Sequence, residues 1–164
     1  MDKKAMDVAN YIVDYCVKKG SPVSNLKLQK LLYYVQAASL VSFGEKLFSD
    51  EISAWKYGPV VESVYHNFKI YVDKVITEMF TERDLLTLED NSKEYDPSAL
   101  FSKNEKEIIT KVLDSYDNYS ALAMVKKTHA EKPWRDAYEK GSDFIQTEEI
   151  RKFYGKEINL IYGE

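Results

Sequence analysis

The sequence predicts a mainly α-helical protein: a compact multi-helix domain around a central buried helix, with a small two-stranded β element near residues 52–57 left open by the local pattern. Three observations carry this reading. The stretch Ser24–Phe43, SNLKLQKLLYYVQAASLVSF, is free of Gly and Pro and apolar on more than one face. One stripe runs Leu28, Leu31, Leu32, Val35, Ala38 and Ser42, and a second runs Leu26, Tyr33, Ala37, Leu40 and Val41, leaving Lys27, Lys30, Gln36 and Ser39 as polar interruptions. A helix apolar nearly all round sits inside a domain with neighbours on several sides. Second, the flanking segments repeat the three-and-four apolar spacing of amphipathic helices between Gly, Ser and Pro punctuation. Third, 164 residues without an internal repeat fit one domain, residues 1–164, able to bury roughly 70% of the surface of its unfolded chain.

The elements follow in order. A first helix is predicted from Ala5 to Lys19, ending at Gly20, and Ser21-Pro22 make the turn into the central helix, which Ser24 or Asn25 caps. Gly44 ends the central helix. Between Ile52 and Tyr57 apolar and polar residues alternate with period two, which fits a short strand. Pro59 is placed as the first residue of a new helix, PVVESVYHNFKIY, where its missing amide costs nothing. Residues 72–80 read as helix or strand. Periodicity then weakens, and residues 81–101 are read as a variable, charged loop with short pieces such as Leu85–Leu88 inside it. Ser102 and Glu105 form a capping box before a helix striped by Ile108, Ile109, Val112, Leu113 and Tyr116. Ser120 caps the next, with Leu122, Ala123, Val125 and Met124 inward and His129 at its end. PWRDAYEK, from Pro133, reads as a short turn closed by Gly141, and Thr147 opens a terminal helix over about 147–155.

Composition excludes several functions. The single cysteine, Cys16, lies on the apolar stripe of the first helix and reads as a buried thiol. The pattern suits a reducing cytoplasm, and no apolar run approaches the ~18 residues that cross a bilayer, so a cytoplasmic protein without membrane partner is expected. The formal net charge of −4 disfavours a nucleic-acid surface, and residues 81–164 carry thirteen Lys or Arg against eighteen acids. Thirteen tyrosines exceed what a core of this size needs, so some are expected at the surface as contact residues.

Catalytic patterns are missing. The two histidines, His66 and His129, have neither an i, i+4 histidine nor a nearby cysteine, so no metal site is read. Glu62 lies four residues before His66 and could orient its imidazole, yet no nucleophile motif accompanies the pair. The six glycines are scattered, without a phosphate loop. No catalytic residue and no cofactor is assigned. What stands out is aromatic: Tyr33-Tyr34, Trp55-Lys56-Tyr57-Gly58-Pro59, Tyr65-His66 and Pro133-Trp134-Arg135. Trp, Tyr and Arg dominate binding hot spots, and a strand exposing Trp55 and Tyr57 beside a stiff Gly-Pro corner would form a ledge for a partner, with core packing as the alternative reading.

Three blocks in order, LKLQKLLYYVQA (Leu26–Ala37), ISAWKYGPVVESVYHNFK (Ile52–Lys69) and THAEKPWRDAY (Thr128–Tyr138), resemble the Panacea antitoxin domain family, which includes phage-associated and SocA-like members. The resemblance implies a small, mostly helical antitoxin that neutralises a cognate protein toxin by direct contact. A SocA-like member would instead act as an adaptor delivering its toxin to the ClpXP protease. Leu28, Leu31, Leu32, Gly58, Pro133 and Trp134 are taken as structural signatures; Trp55, Lys56, Tyr57, Pro59, Glu62 and His66 are the candidate partner-binding residues. An enzyme using Glu62 and His66, or a DNA-binding regulator, is the weaker alternative.

Overall fold

A computed structural model of the chain describes residues 3–81 and 95–164. Helix α1 (Ala5–Lys18) and helix α2 (Asn25–Phe43) are joined by the expected turn, with Gly20 at φ 78°. Ser24 Oγ accepts from the Lys27 amide at 3.2 Å, satisfying one of the first-turn donors that the helix itself cannot pair. Residues Leu28 to Leu40 of α2 are buried without interruption, and the helix packs against α1, one strand and most of the helices described below. The polar residues within that run are buried because they satisfy loop backbone that has no helix or strand partner. Gln36 Oε1 accepts from the Leu47 amide at 2.7 Å while its Nε2 donates to the Phe48 carbonyl at 2.9 Å, and Ser39 Oγ donates to the Glu45 carbonyl at 2.8 Å. Ser42, expected on the buried stripe, lies on the exposed last turn beyond the neighbouring elements.

The period-two stretch forms a hairpin of β1 (Ser53–Trp55) and β2 (Gly58–Val60), paired antiparallel with Ala54 opposite Pro59 and Trp55 opposite Gly58. Pro59 therefore does not open a helix. A two-residue turn, Lys56-Tyr57, makes Trp55–Gly58 the hydrogen-bonded pair, so Ala54–Pro59 is a non-bonded pair and the missing proline amide costs the ladder nothing. The helix begins later and is shorter than predicted: α3 (Glu62–Asn67) passes into a 3₁₀ turn at Lys69–Tyr71. The Val61 amide before α3 is satisfied by Gln29 Oε1 of α2 at 2.9 Å. Residues 72–80 are neither helix nor regular strand; Ile76 is buried and its amide donates to the Val23 carbonyl at 2.8 Å.

The loop expected over 81–101 falls mostly outside the described residues, as does the Leu85–Leu88 piece; its described end is a 3₁₀ turn at Pro97–Leu100. Helix α4 (Lys103–Ser115) starts at the predicted capping box, with Glu105 N to Ser102 Oγ at 3.1 Å and Ser102 N to Glu105 Oε1 at 2.8 Å. Helix α5 (Ala121–Ala130) buries Met124 and Val125, whereas Leu122, expected inward, is 67% exposed: it lies in the first turn, about 160° round the helix from Met124. The PWRDAYEK segment is a helix, α6 (Lys132–Glu139), because Pro133 occupies the first turn where its missing amide is no loss. Helix α7 (Thr147–Lys156) docks Ile150 and Tyr154 on α2, and a short α8 (Ile158–Ile161), not anticipated, follows. The segment before α7 runs beside β1: Ala54 N donates to Asp143 O at 3.0 Å and Ile145 N to Ile52 O at 2.8 Å. Among the described residues no helix is long and apolar enough to cross a membrane.

Candidate functional site

The hairpin is seated on α2, α5 and α6 by side chains from the first and third of the three sequence blocks, against the second. Lys30 of α2 is fully buried and its Nζ donates to the Pro59 carbonyl at 3.1 Å. Burial, with no carboxylate beside it among the described residues, pushes this amine down to about 7. Gly58 sits at φ 109°, and a Cβ there would lie 2.7 Å from Lys30 Cε and 2.8 Å from Thr128 Oγ1. From the third block, Trp134 is buried and its Nε1 donates to the Trp55 carbonyl at 2.9 Å. Its indole is stacked between His129 (centroids 3.9 Å apart, 9° between planes) and Tyr138 (4.8 Å, 15°). The Nε2 of His129 is buried and makes no hydrogen bond among the described residues, and burial lowers the imidazole's affinity for a proton, against a smaller opposite pull from the Lys56 backbone. Leu28, Leu31, Leu32 and Pro133 are buried as well. The blocks far apart in sequence thus meet at one junction: α2 below, the hairpin across it, the α5–α6 corner beside it.

That junction falls within the region of family likeness. The family profile described as "Antitoxin SocA-like, Panacea domain" matches residues 28–135. The chain belongs to this family. Antitoxin SocA of Caulobacter vibrioides (strain NA1000 / CB15N) is 34% identical over 131 residues, which cover 79% of this chain and 68% of that protein. No solved structure matches the chain significantly. Lys30, Gly58 and Trp134, which hold this Panacea-domain chain's hairpin in place, all lie within the matched residues.

Of the candidate contact residues, Lys56 and Tyr57 form the hairpin turn and are exposed, Tyr57 at 59%. Glu62 and His66 lie on the exposed face of α3. No hydrogen bond or ion pair joins them among the described residues; Glu62 Oε2 instead accepts from Ser53 Oγ at 2.9 Å. Trp55 is half-buried with its ring edge-on to Tyr65 at 5.2 Å. Pro59 leaves the contact set, because it is buried and its carbonyl is committed to Lys30. Among the described residues no three potential metal-ligating side chains converge.

Sequence reading did not find the most polar part of the interior. Glu131, 5% exposed, accepts from Tyr34 OH at 2.8 Å and Tyr154 OH at 2.7 Å on Oε1, and its Oε2 pairs with Lys127 Nζ at 2.6 Å. Tyr154 OH also lies 3.1 Å from Tyr33 OH. Tyr33, Tyr34, Tyr116 and Tyr154 are fully buried, and burial first, with the nearby carboxylate adding, raises all four phenols. Much of the tyrosine excess is therefore core. The available signals were the adjacent Tyr33-Tyr34 inside the most apolar helix and the i, i+4 pair Lys127–Glu131.

Gly58 offers a direct check on the junction. Gly58→Ala introduces an unfavourable φ and two sub-van der Waals contacts with the buried side chains of Lys30 and Thr128, so it is expected to destabilise the fold by about 2–3 kcal/mol in urea denaturation. A loss within about 0.5 kcal/mol, the range of neutral surface changes, would refute the close packing.

Proposed function

We propose that this chain is an antitoxin that neutralises a cognate protein toxin by binding and masking it, with residues 1–164 acting as one domain. The observation that supports this reading is the combination of Panacea-family membership with a hairpin turn held rigidly outward: Lys56 and Tyr57 are exposed while the residues beneath them are locked into the core. A rigid aromatic presented on a fixed backbone binds with little loss of conformational freedom. Trp55, Glu62 and His66 border it. A lasting complex needs an interface on the order of 1,600 Å² in total, which this face and its surroundings can supply. The family supports a binding role rather than catalysis.

The test is co-expression with the product of the adjacent open reading frame. That product is expected to arrest growth alone and to be harmless beside this chain. If it remains toxic while this protein is abundant, the reading fails. Tyr57→Ala combined with Lys56→Glu is expected to weaken purified toxin binding by about tenfold or more without moving the melting temperature. Toxin half-life separates masking from delivery to a protease such as ClpXP: masking leaves it unchanged or longer, and delivery shortens it.

A further inference from the structure

Beside the hairpin turn lies a groove between β1 and residues 141–144. Its floor is the backbone of Ser53 and Ala54, pinned by the Ala54-to-Asp143 hydrogen bond and a β-bridge from Ser53 to Phe144. Aromatic rings wall it. Trp55 is braced edge-on by Tyr65, Tyr138 is braced face-on by Trp134, and Tyr138 and Phe144 remain 44% and 39% exposed. The charged residues lining it are Glu62 and Asp143, and neither forms an ion pair among the described residues. Glu62 spends one oxygen on Ser53 Oγ, leaving acceptor capacity on the other.

An apolar ledge of exposed rings with unpaired carboxylates and no cation is complementary to one side chain above others. A guanidinium is planar, weakly hydrated, stacks on aromatic faces and donates several hydrogen bonds in one plane. An ammonium matches the charge but not the ring faces. We propose that this groove receives an arginine of the toxin, its plane covered by Trp55, Tyr138 and Phe144 and its edge met by Glu62 and Asp143. This rests on the masking reading above and extends the contact face to residues on the α6–α7 connection. The groove is preorganised, because its floor and both braced rings are fixed by hydrogen bonds and stacking in the free chain.

The experiment is binding of the purified toxin to the full chain carrying Glu62→Gln and Asp143→Asn together, substitutions that keep size and one acceptor oxygen on each side chain and remove the charge. With an unchanged melting temperature, affinity is expected to fall about tenfold or more. Substituting each exposed toxin arginine by alanine is expected to reveal one whose loss is no longer felt against the doubly neutralised antitoxin, the signature of a direct pair, and whose replacement by lysine recovers little. Wild-type binding that survives neutralisation of both carboxylates within about twofold overturns the groove and leaves masking intact. Failure of the wild-type chain to bind the toxin at all overturns both.

Discussion

Glu131→Ala is expected to cost the fold about 3–5 kcal/mol, the range for removing one partner of a buried ion pair. The carboxylate is reached by three donors from three separate elements: Tyr34 on α2, Lys127 one turn earlier on α5, and Tyr154 on α7. Removing it leaves the Tyr34 hydroxyl without its acceptor, the Tyr154 hydroxyl with only the longer bond to Tyr33 OH, and a buried ammonium without its counter-charge. That ammonium is 12% exposed, donates also to the Leu160 carbonyl, and lies 4.7 Å above the Tyr34 ring. The polar groups left behind, rather than the attraction lost, set the cost. Glu131→Gln keeps one acceptor for the hydroxyls and is expected to lose less, while Tyr34→Phe removes one hydrogen bond and is expected to lose about 1 kcal/mol. Equilibrium urea denaturation of the three variants checks the order. A Glu131→Ala loss under about 1 kcal/mol would show that the carboxylate is not the acceptor for this cluster. The cluster ties α7 and α8 to α2, so amide exchange should rise first over residues 147–162 in the alanine variant.

Helix existence was legible in the sequence wherever caps and apolar spacing agreed. Ser24, Ser102 and Ser120 each accept the predicted amide, and Gly20, Gly44 and Gly141 sit at positive φ. Legibility failed where tertiary pairing overrode local chemistry. Pro59 carries a valid helix-start signal, yet the same residue is harmless at a non-bonded strand position, and only the seating of the hairpin on Lys30 decides between them. Proline again misled at Pro133, where a helix start was read as a turn. Polar residues inside α2 read as interruptions of its apolar face because a single sequence does not show the loop amides they satisfy. The candidate site was legible as a set of blocks but not as a geometry. Lys56, Tyr57, Glu62 and His66 are exposed as a contact set requires, Pro59 is not, and Asp143, Tyr138 and Phe144 join the same face through a strand-like contact between segments about 90 residues apart.

The stability of the chain is expected to rise between pH 7 and pH 9, and Lys30 is expected to cause most of that rise. Among the described residues its amine has one hydrogen-bond partner, the Pro59 carbonyl, and no carboxylate to compensate its charge. Folding lowers its proton affinity from 10.5 to about 7. The unfolded chain therefore holds one proton more than the folded chain between these values. Stability then climbs with pH by about 1.4 kcal/mol per unit from this group alone, and below pH 7 the full cost of a buried ammonium is present. Lys27, whose amine burial also lowers, adds in the same direction. Above pH 9 the Cys16 thiol offsets this gain, and above about pH 10, where the core phenols join it, the sign turns. Burial raises the Cys16 thiol from 9.0 to about 11 and raises the core phenols, so the unfolded chain loses those protons first and stability falls. Lys30→Met fills the same space without charge and leaves the Pro59 carbonyl unpaired, a loss of about 1 kcal/mol that does not depend on pH. The variant is thus expected to exceed the wild type at pH 6.5 and to lose most of that advantage by pH 9. Between these two values the difference in stability should change by about 3 kcal/mol. Urea denaturation of both proteins at the two pH values measures it. Parallel pH profiles would show that Lys30 keeps an ordinary proton affinity, and that the hairpin carrying Lys56 and Tyr57 is not anchored on a neutral amine at alkaline pH.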